Sequence, residues 1–333
     1  MKYRNLGSSG ISASVVGMGT WVTGGGPTWG AEPDDRESVR AIHAAIDMGV
    51  NLIDTAPLYG FGRSETVVGK AIQGKRDQVV LATKCGLWTE DDRGSFFTDY
   101  EGVRVMRSLR PDTIRIEVER SLQRIGTDVI DLYQTHWPAV PPDKTPIADT
   151  MACLLELRDE GKIRAIGVSN VSLEELQENA ACGPVASNQF RYSMLYREPE
   201  ADILPFCLKN NIATLTYMSL EQGLLTGKVG MDREFAQGEW RSNADWNPWF
   251  KIENRQRVLD LLSGWNDLTE EYHCSFAQLM VAWTAAQAGV THVLCGARTA
   301  DQIMQTAEAG DLDLEPADVV RMRDDVEALG DPA

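Results

Sequence analysis

Asp54, Tyr59, Lys84 and His136 are the residues of this chain whose types and placement suggest chemistry. Asp54, Lys84 and His136 each follow a short apolar or β-rich run: 50–53, 78–82 and 129–133. Such runs read as buried strands. Pro57 disfavours helical backbone at Ala56, so Asp54 and Tyr59 lie at a strand end and on the loop after it, not on one helix face. A tyrosine has a reference pKa of about 10, and a lysine cation beside it favours the phenolate and lowers that value. The lysine needs a carboxylate partner to stay charged in a semi-buried mouth, and Asp54 can supply one. The expected result is a tyrosine that gives and takes a proton near neutral pH. His136 can donate a hydrogen bond to the same substrate oxygen. Such a site polarises a carbonyl oxygen and protonates it. With no metal-ligand cluster legible, the other reactant is most simply a hydride from a nicotinamide.

These residues need a scaffold that gathers strand ends on one face. Residues 2–15 read as a hairpin turning at Gly7-Ser8-Ser9-Gly10. Eight strand candidates follow, at 15–18, 50–53, 78–82, 129–133, 163–168, 184–187, 212–216 and 292–295. Helical patterns separate most of them. Val39, Ile42 and Ile46 recur at helical spacing, Pro111 opens a helix that Gly126 closes, and Ser172 with Glu175 forms a capping box. Strict alternation implies a parallel sheet with right-handed crossovers. Eight units imply one (β/α)8 barrel domain over residues 1–333, with the hairpin plugging its bottom. The strand ends then deliver Trp21, Asp54 with Tyr59, Lys84, His136, Ser169-Asn170, Gln189, Tyr217 and Gly296-Arg298 to the C-terminal face. That face carries the active site in such barrels. Gly24-Gly25-Gly26 lacks the spacing of a dinucleotide fingerprint and reads as a flexible loop. The stretch 85–110 reads as long and polar with several aromatics, and 217–250 as a lid-length loop.

The composition, 43% hydrophobic and 24% charged, is that of an ordinary globular chain. There is no run of eighteen apolar residues and no apolar signal core after Met1. The six cysteines form no Cys-x-x-Cys pair, which argues for a reducing cytoplasm and against a zinc site or disulfide framework. The net charge of −17 argues against nucleic acid and anionic membranes as partners. Any site for a phosphorylated ligand must therefore be built locally from a few lysines and arginines. The expected partner is a small-molecule carbonyl compound, with the chain a monomer or a homo-oligomer.

Nearly the whole chain resembles the aldo-keto reductase superfamily. Asp54-Thr55-Ala56-x-x-Tyr59-Gly60 followed by Gly62-Arg63-Ser64-Glu65 resembles one signature, Asp128 to Pro138 the histidine-bearing strand, and Gly161 to Asn170 the central signature. The resemblance implies a catalytic tetrad of Asp54, Tyr59, Lys84 and His136, and NADPH/NADP+ as cofactor. It implies that Ser169, Asn170 and Gln189 hold the nicotinamide carboxamide and that Tyr217 stacks on the ring. Ser219, Leu220, Gly223, Leu225, Gly227 and Lys228 would line the pyrophosphate and ribose, with Gly296, Arg298 and Gln302 at the adenosine end. Two departures stand out: Thr306 where the family commonly has asparagine, and Cys295 where it has proline. Lys228 and Arg298 fall where the family binds the 2′-phosphate, so NADP(H) is expected over NAD(H).

For the substrate, Trp21, Trp29, Trp88 and Trp137 follow strands, and Trp240, Trp246 and Trp249 crowd the 217–250 loop beside Arg241. Aromatic faces with polar neighbours suit a sugar or sugar-derived aldehyde or ketone, with Trp21, Trp88, Trp137, Arg241 and Trp246 as contacts. The same rings could instead line a pocket for aromatic or aliphatic aldehydes, or merely pack the loop. A nicotinamide-binding regulatory subunit is the alternative from another functional class. His43, His273 and His292 read as surface residues, and Arg104, Arg107 and Arg110 as a solvated basic face. Trp265 and Trp283 read as packing residues.

Overall fold

The computed structural model describes residues 1–26, 29 and 33–333. A two-stranded antiparallel hairpin, β1 (Tyr3–Asn5) and β2 (Ser12–Ser14), precedes the barrel. The barrel strands are β3 (Val16–Gly19), β4 (Leu52–Asp54), β5 (Val80–Cys85), β9 (Ile130–Thr135), β10 (Ile163–Ser169), β11 (Ser187–Arg191), β12 (Ala213–Tyr217) and β13 (His292–Gly296). All pair in parallel and close in chain order, with β13 returning to β3. Between β5 and β9 lies a three-stranded antiparallel sheet of β6 (Leu87–Trp88), β7 (Ser95–Tyr100) and β8 (Val103–Arg107).

The predicted eight-stranded (β/α)8 barrel is therefore present, and the antiparallel sheet is an addition to it. Glu101 and Gly102 both have positive φ (52° and 76°) at the turn between β7 and β8. That is the hairpin geometry a Glu-Gly pair can adopt. The stretch expected to be merely long and polar is thus an ordered flap. Arg107 is not on a solvated face: its guanidinium lies between the rings of Phe97 (4.4 Å) and Trp137 (4.8 Å).

Local signals explain most helix boundaries. The helix Pro111–Ile125 starts on proline and stops at Gly126, which is left-handed at φ 74°. Ser172 and Glu175 make the expected capping box at the start of Leu173–Cys182. Ser275 and Gln278 make a second one for Phe276–Ala285. Trp265 and Trp283 are fully buried packing residues, as expected. His292 is fully buried too, against the surface assignment, because its Nδ1 meets the Ser14 carbonyl at 2.9 Å beneath the barrel.

Two apolar clusters hold the fold. The larger lies between barrel and helices. The smaller fills the lower barrel with Leu52, Val80, Leu132 and Leu215, closed from below by Leu6, Ile11 and Ala13 of the hairpin segment. This matches the predicted plug.

Candidate active site

Lys84 is the hub of the upper barrel. It is fully buried, and its ammonium donates to Asp54 Oδ2 (2.7 Å), the Thr55 carbonyl (2.9 Å) and Tyr59 Oη (3.2 Å). Asp54 Oδ1 accepts from Gln134 Nε2 (3.1 Å) and Gln189 Nε2 (2.9 Å). A buried ion pair persists only when its remaining lone pairs and protons are satisfied, and these five hydrogen bonds do so. Burial opposes the Lys84 charge, but Asp54 and Tyr59 outweigh it and raise the lysine pKa.

Tyr59 departs from expectation in its electrostatics. Burial raises its pKa more than Lys84 lowers it, and Asp54 adds to the rise. In this geometry the phenol is protonated across the neutral range, a proton donor rather than a phenolate. His136 faces it edge-on, with ring centroids 5.8 Å apart. Burial, then Lys84, hold the imidazole pKa well below its ordinary value, so it is neutral and can donate one hydrogen bond without carrying charge. The tetrad named from the sequence is thus gathered around one point.

Gly24 sets the Tyr59 loop. A side-chain Cβ there would lie 2.5 Å from the Tyr59 carbonyl carbon and 2.8 Å from Gly60 N. The first glycine of the Gly-rich loop is therefore a packing requirement rather than a source of flexibility.

A cleft of about 1550 Å³ runs across the mouth, larger than a typical small-ligand pocket. At its centre lie Asp54, Tyr59, His136, Asn170, Gln189 and Tyr217. Asn170 donates to Ser169 Oγ (3.0 Å) and accepts from the Tyr217 hydroxyl (2.7 Å). From there the lining extends through Ser219, Leu220, Gly223 and Lys228 to Gly296, Arg298, Gln302 and Thr306. Ser169, Leu225 and Gly227 are not in the lining; Ser169 is fully buried behind Asn170, and Leu225 is fully buried in the larger core.

In the other direction the lining holds Trp21, Trp137, Phe97, Thr98, Asp99 and Tyr100. Trp88, expected among the substrate contacts, is absent from it. That ring is buried under the guanidinium of Arg93 (4.7 Å), and its Nε1 donates to Asp91 (2.8 Å). Arg241 lines the cleft, but its guanidinium is bound to Glu239 and to the Gln222 carbonyl (3.4 Å). It belongs to the Arg298 end rather than to free substrate space, and its charge contributes to the lowered Arg298 pKa, after burial. Trp246 lines the cleft and packs on Trp240 (4.6 Å), which meets Trp21 at 5.2 Å, whereas Trp249 is buried in the core.

Sequence reading missed Gln134, which it quoted without a role, although alternation predicts it. Gln134 is two residues before His136 and two after the inward Leu132 on one strand. It also missed the β7–β8 flap, for which Glu101-Gly102 between β-rich runs was the available signal. Among the described residues no group of three His, Cys, Asp or Glu could hold a metal ion, and no helix is long and apolar enough to cross a membrane.

A family model described as the Aldo/keto reductase family matches residues 15–326. The chain is 42% identical over 330 residues to the NADH-specific methylglyoxal reductase of Escherichia coli (strain K12), covering 99% of each. It is 41% identical to the aldo-keto reductase YhdN of Bacillus subtilis, covering 92% of this chain and 88% of that one. Among solved structures, the glycerol dehydrogenase of Gluconobacter oxydans superposes with a TM-score of 0.85 at 38% identity, covering 99% of this chain and 96% of the other. An aldo/keto reductase from Klebsiella pneumoniae in complex with NADP and acetate superposes at 0.71 with 25% identity, covering 97% and 94%. The barrel, the gathered tetrad and these matches lead to one statement: this chain belongs to the aldo/keto reductase family, oxidoreductases that reduce carbonyl groups with a nicotinamide cofactor.

Proposed function

We propose that this protein reduces a small, polar carbonyl compound, with Tyr59 as general acid. The observation that carries the reading is the Lys84 ammonium bound at once to Asp54 and Tyr59 in a buried mouth. Lys84 and Asp54 orient the phenol, and His136 holds the substrate oxygen through a neutral imidazole. As negative charge develops on that oxygen, Tyr59 delivers its proton, and the adjacent ammonium stabilises the phenolate left behind.

The cleft fits a dinucleotide on its own evidence. Met218, Glu221, Gln222 and Gly223 all have positive φ (59°, 43°, 52° and 96°). This left-handed run makes a tight turn at the cleft, closed by the Glu221 N–H on the Met218 carbonyl (2.8 Å) and the Gly223 N–H on the Leu220 carbonyl (2.9 Å). Both polar atoms of the Gln222 side chain are buried without a partner. Lys228, Arg233 and Arg298 line the cleft of a strongly acidic chain. A reduced nicotinamide bound there supplies the hydride. Asn170 and Gln189 would hold its carboxamide, with Ser169 supporting Asn170 from behind, and Ser219, Gly223, Lys228, Arg298 and Gln302 the remainder of the dinucleotide.

Those cations favour NADP(H), since a charge-assisted hydrogen bond contributes about 1.5–3 kcal/mol. The name of the Escherichia coli relative favours NADH as the second reading. For the substrate, aromatic walls (Trp21, Trp137, Phe97) stand beside polar groups (Thr98, Asp99). That mixture suits a hydroxylated carbonyl compound. Two relatives named for three-carbon substrates, methylglyoxal and glycerol, agree in size and polarity.

The test is kcat/KM for methylglyoxal, glyceraldehyde, a larger sugar aldehyde and benzaldehyde, each with NADPH and with NADH. The reading expects the polar compounds to lead and NADPH to be preferred about tenfold or more. Benzaldehyde ahead by about tenfold, roughly 1.4 kcal/mol in transition-state binding, contradicts the substrate class. Equal use of both cofactors contradicts the cofactor assignment.

A further inference from the structure

Glu221 is a fully buried carboxylate with no part in the tetrad. It sits in the left-handed segment after β12, between the chain that lines the cofactor end and the long loop that crosses the cleft. Two separate segments of the protein, 191–193 and the long loop, converge on it through three hydrogen bonds. Arg191 Nη2, at the end of β11, donates to Oε2 at 2.7 Å. Ser193 Oγ donates to Oε1 at 2.6 Å. Asn247 Nδ2, from the long loop and itself buried, donates to Oε2 at 3.1 Å. The next residue, Gln222, accepts from Arg241 of the same loop through its carbonyl (3.4 Å). The Arg191 guanidinium also lies over the rings of Tyr196 (4.5 Å) and Trp246 (5.7 Å).

This placement is expensive unless it does something. A non-glycine residue with positive φ is disfavoured, and three of them (Met218, Glu221 and Gln222) occur within five residues. Such backbone persists only where surrounding contacts over-determine it. The Glu221 carboxylate supplies those contacts. The same oxygen atoms tie down the loop carrying Trp240, Arg241 and Trp246.

We propose that Glu221 is a positioning residue for cofactor binding: through Arg191, Ser193 and Asn247 it holds the segment 218–223 in its dinucleotide-binding shape and fastens the 229–250 loop across the cleft. The inference rests on the reading above that this segment holds the dinucleotide. Without the anchor the segment relaxes to ordinary backbone, the competent fraction falls, and apparent affinity falls by the same factor. Arg191 is needed for a second reason. Its removal leaves a buried, uncompensated negative charge under a segment that must receive phosphates.

The experiment is titration of NADPH and NADH into Glu221→Ala, Arg191→Met, Asn247→Ala and Arg191→Met/Glu221→Gln, with thermal melts and single-turnover reduction at saturating cofactor. Glu221→Ala and Arg191→Met should weaken both cofactors by about tenfold or more and to the same extent, because the segment contacts what the two share. Asn247→Ala should show a smaller loss of the same kind. The double variant should recover much of the affinity lost in Arg191→Met. Single-turnover rates should stay within about threefold, since the tetrad is untouched. A purely structural ion pair would lower the melting temperature and leave the affinity of the folded protein alone. Dissociation constants within about twofold of wild type in folded Arg191→Met and Asn247→Ala overturn the proposal, even where Glu221→Ala fails to fold. Gly223→Val, at φ 96°, separates the two levels of inference. If it abolishes binding while the Glu221 network variants do not, the anchor alone fails. If it too binds normally, the placement of the dinucleotide fails, and the anchor with it.

Discussion

The two ends of the barrel are made from the same strand positions, two residues apart. At the closed end the inward side chains are Leu52 of β4, Ala82 of β5 and Leu132 of β9. One pleat higher the same strands present Asp54, Lys84 and Gln134, joined in a single hydrogen-bonded network. Side chains two apart share a face, so a strand can be apolar where it must be stable and ionic where it must be reactive without any change of backbone. The closed end is sealed by Leu6 and Ile11 and needs no partner chemistry. The open end buries an ammonium and a carboxylate and is tolerable only because each donor and acceptor there is matched. Substitutions at the two ends should therefore fail in different ways.

The sharpest break of that comparison is Lys84→Met. It removes the cation that orients Tyr59 and strands Asp54 as a buried charge. Turnover should fall by at least about 10², and stability by about 3–5 kcal/mol, the usual cost of breaking a buried pair. Both are readable from steady-state rates and urea denaturation. At the closed end, Leu6→Ala should cost about 2–5 kcal/mol in the same denaturation assay. Its kcat should remain near wild type in the fraction that is folded. A large drop in kcat there would mean that the ends are not separable.

Glu117 offers a pH test between the two ends. Its buried carboxyl accepts from Gly86 N (2.9 and 3.2 Å), just past Lys84, and burial pushes its pKa from 4.5 up to about 8. Between those values the folded chain binds a proton that the unfolded chain does not, so stability falls as pH rises through this window. From pH about 6 to about 8 the loss from this group should be about 2 kcal/mol. Glu117→Gln should remove that slope in paired urea melts. The smallest expected effect is at the far rim of the cleft. Arg298→Ala should weaken NADPH by about tenfold, roughly 1.4 kcal/mol, and NADH far less. Fluorescence titration of both cofactors reads the difference.

Much of this was legible in the chain. The βα alternation gave the barrel, and Asp54, Tyr59, Lys84 and His136 could be named because each lies at the C-terminal end of a strand or on the loop after it. What escaped depends on contacts between distant segments. Trp88 follows a strand as Trp21 and Trp137 do, but the antiparallel sheet turns it under Arg93 and away from the cleft. Arg107 looks like one of three surface cations until Phe97 and Trp137 close on it. The Tyr59 proton affinity was misjudged because local sequence shows the lysine but not the depth of burial, which outweighs it. Glu221 lies in an otherwise familiar run, and its partners Arg191 and Asn247 are 30 and 26 positions away.

The central claim is that Tyr59 donates the proton to the substrate oxygen. Tyr59→Phe keeps the ring and removes only the hydroxyl. With methylglyoxal as substrate and saturating cofactor, kcat should fall by about 10²–10⁴, while the cofactor dissociation constant stays within about twofold of wild type. A Phe variant that keeps more than about a tenth of wild-type kcat contradicts the claim, whatever its affinity for cofactor.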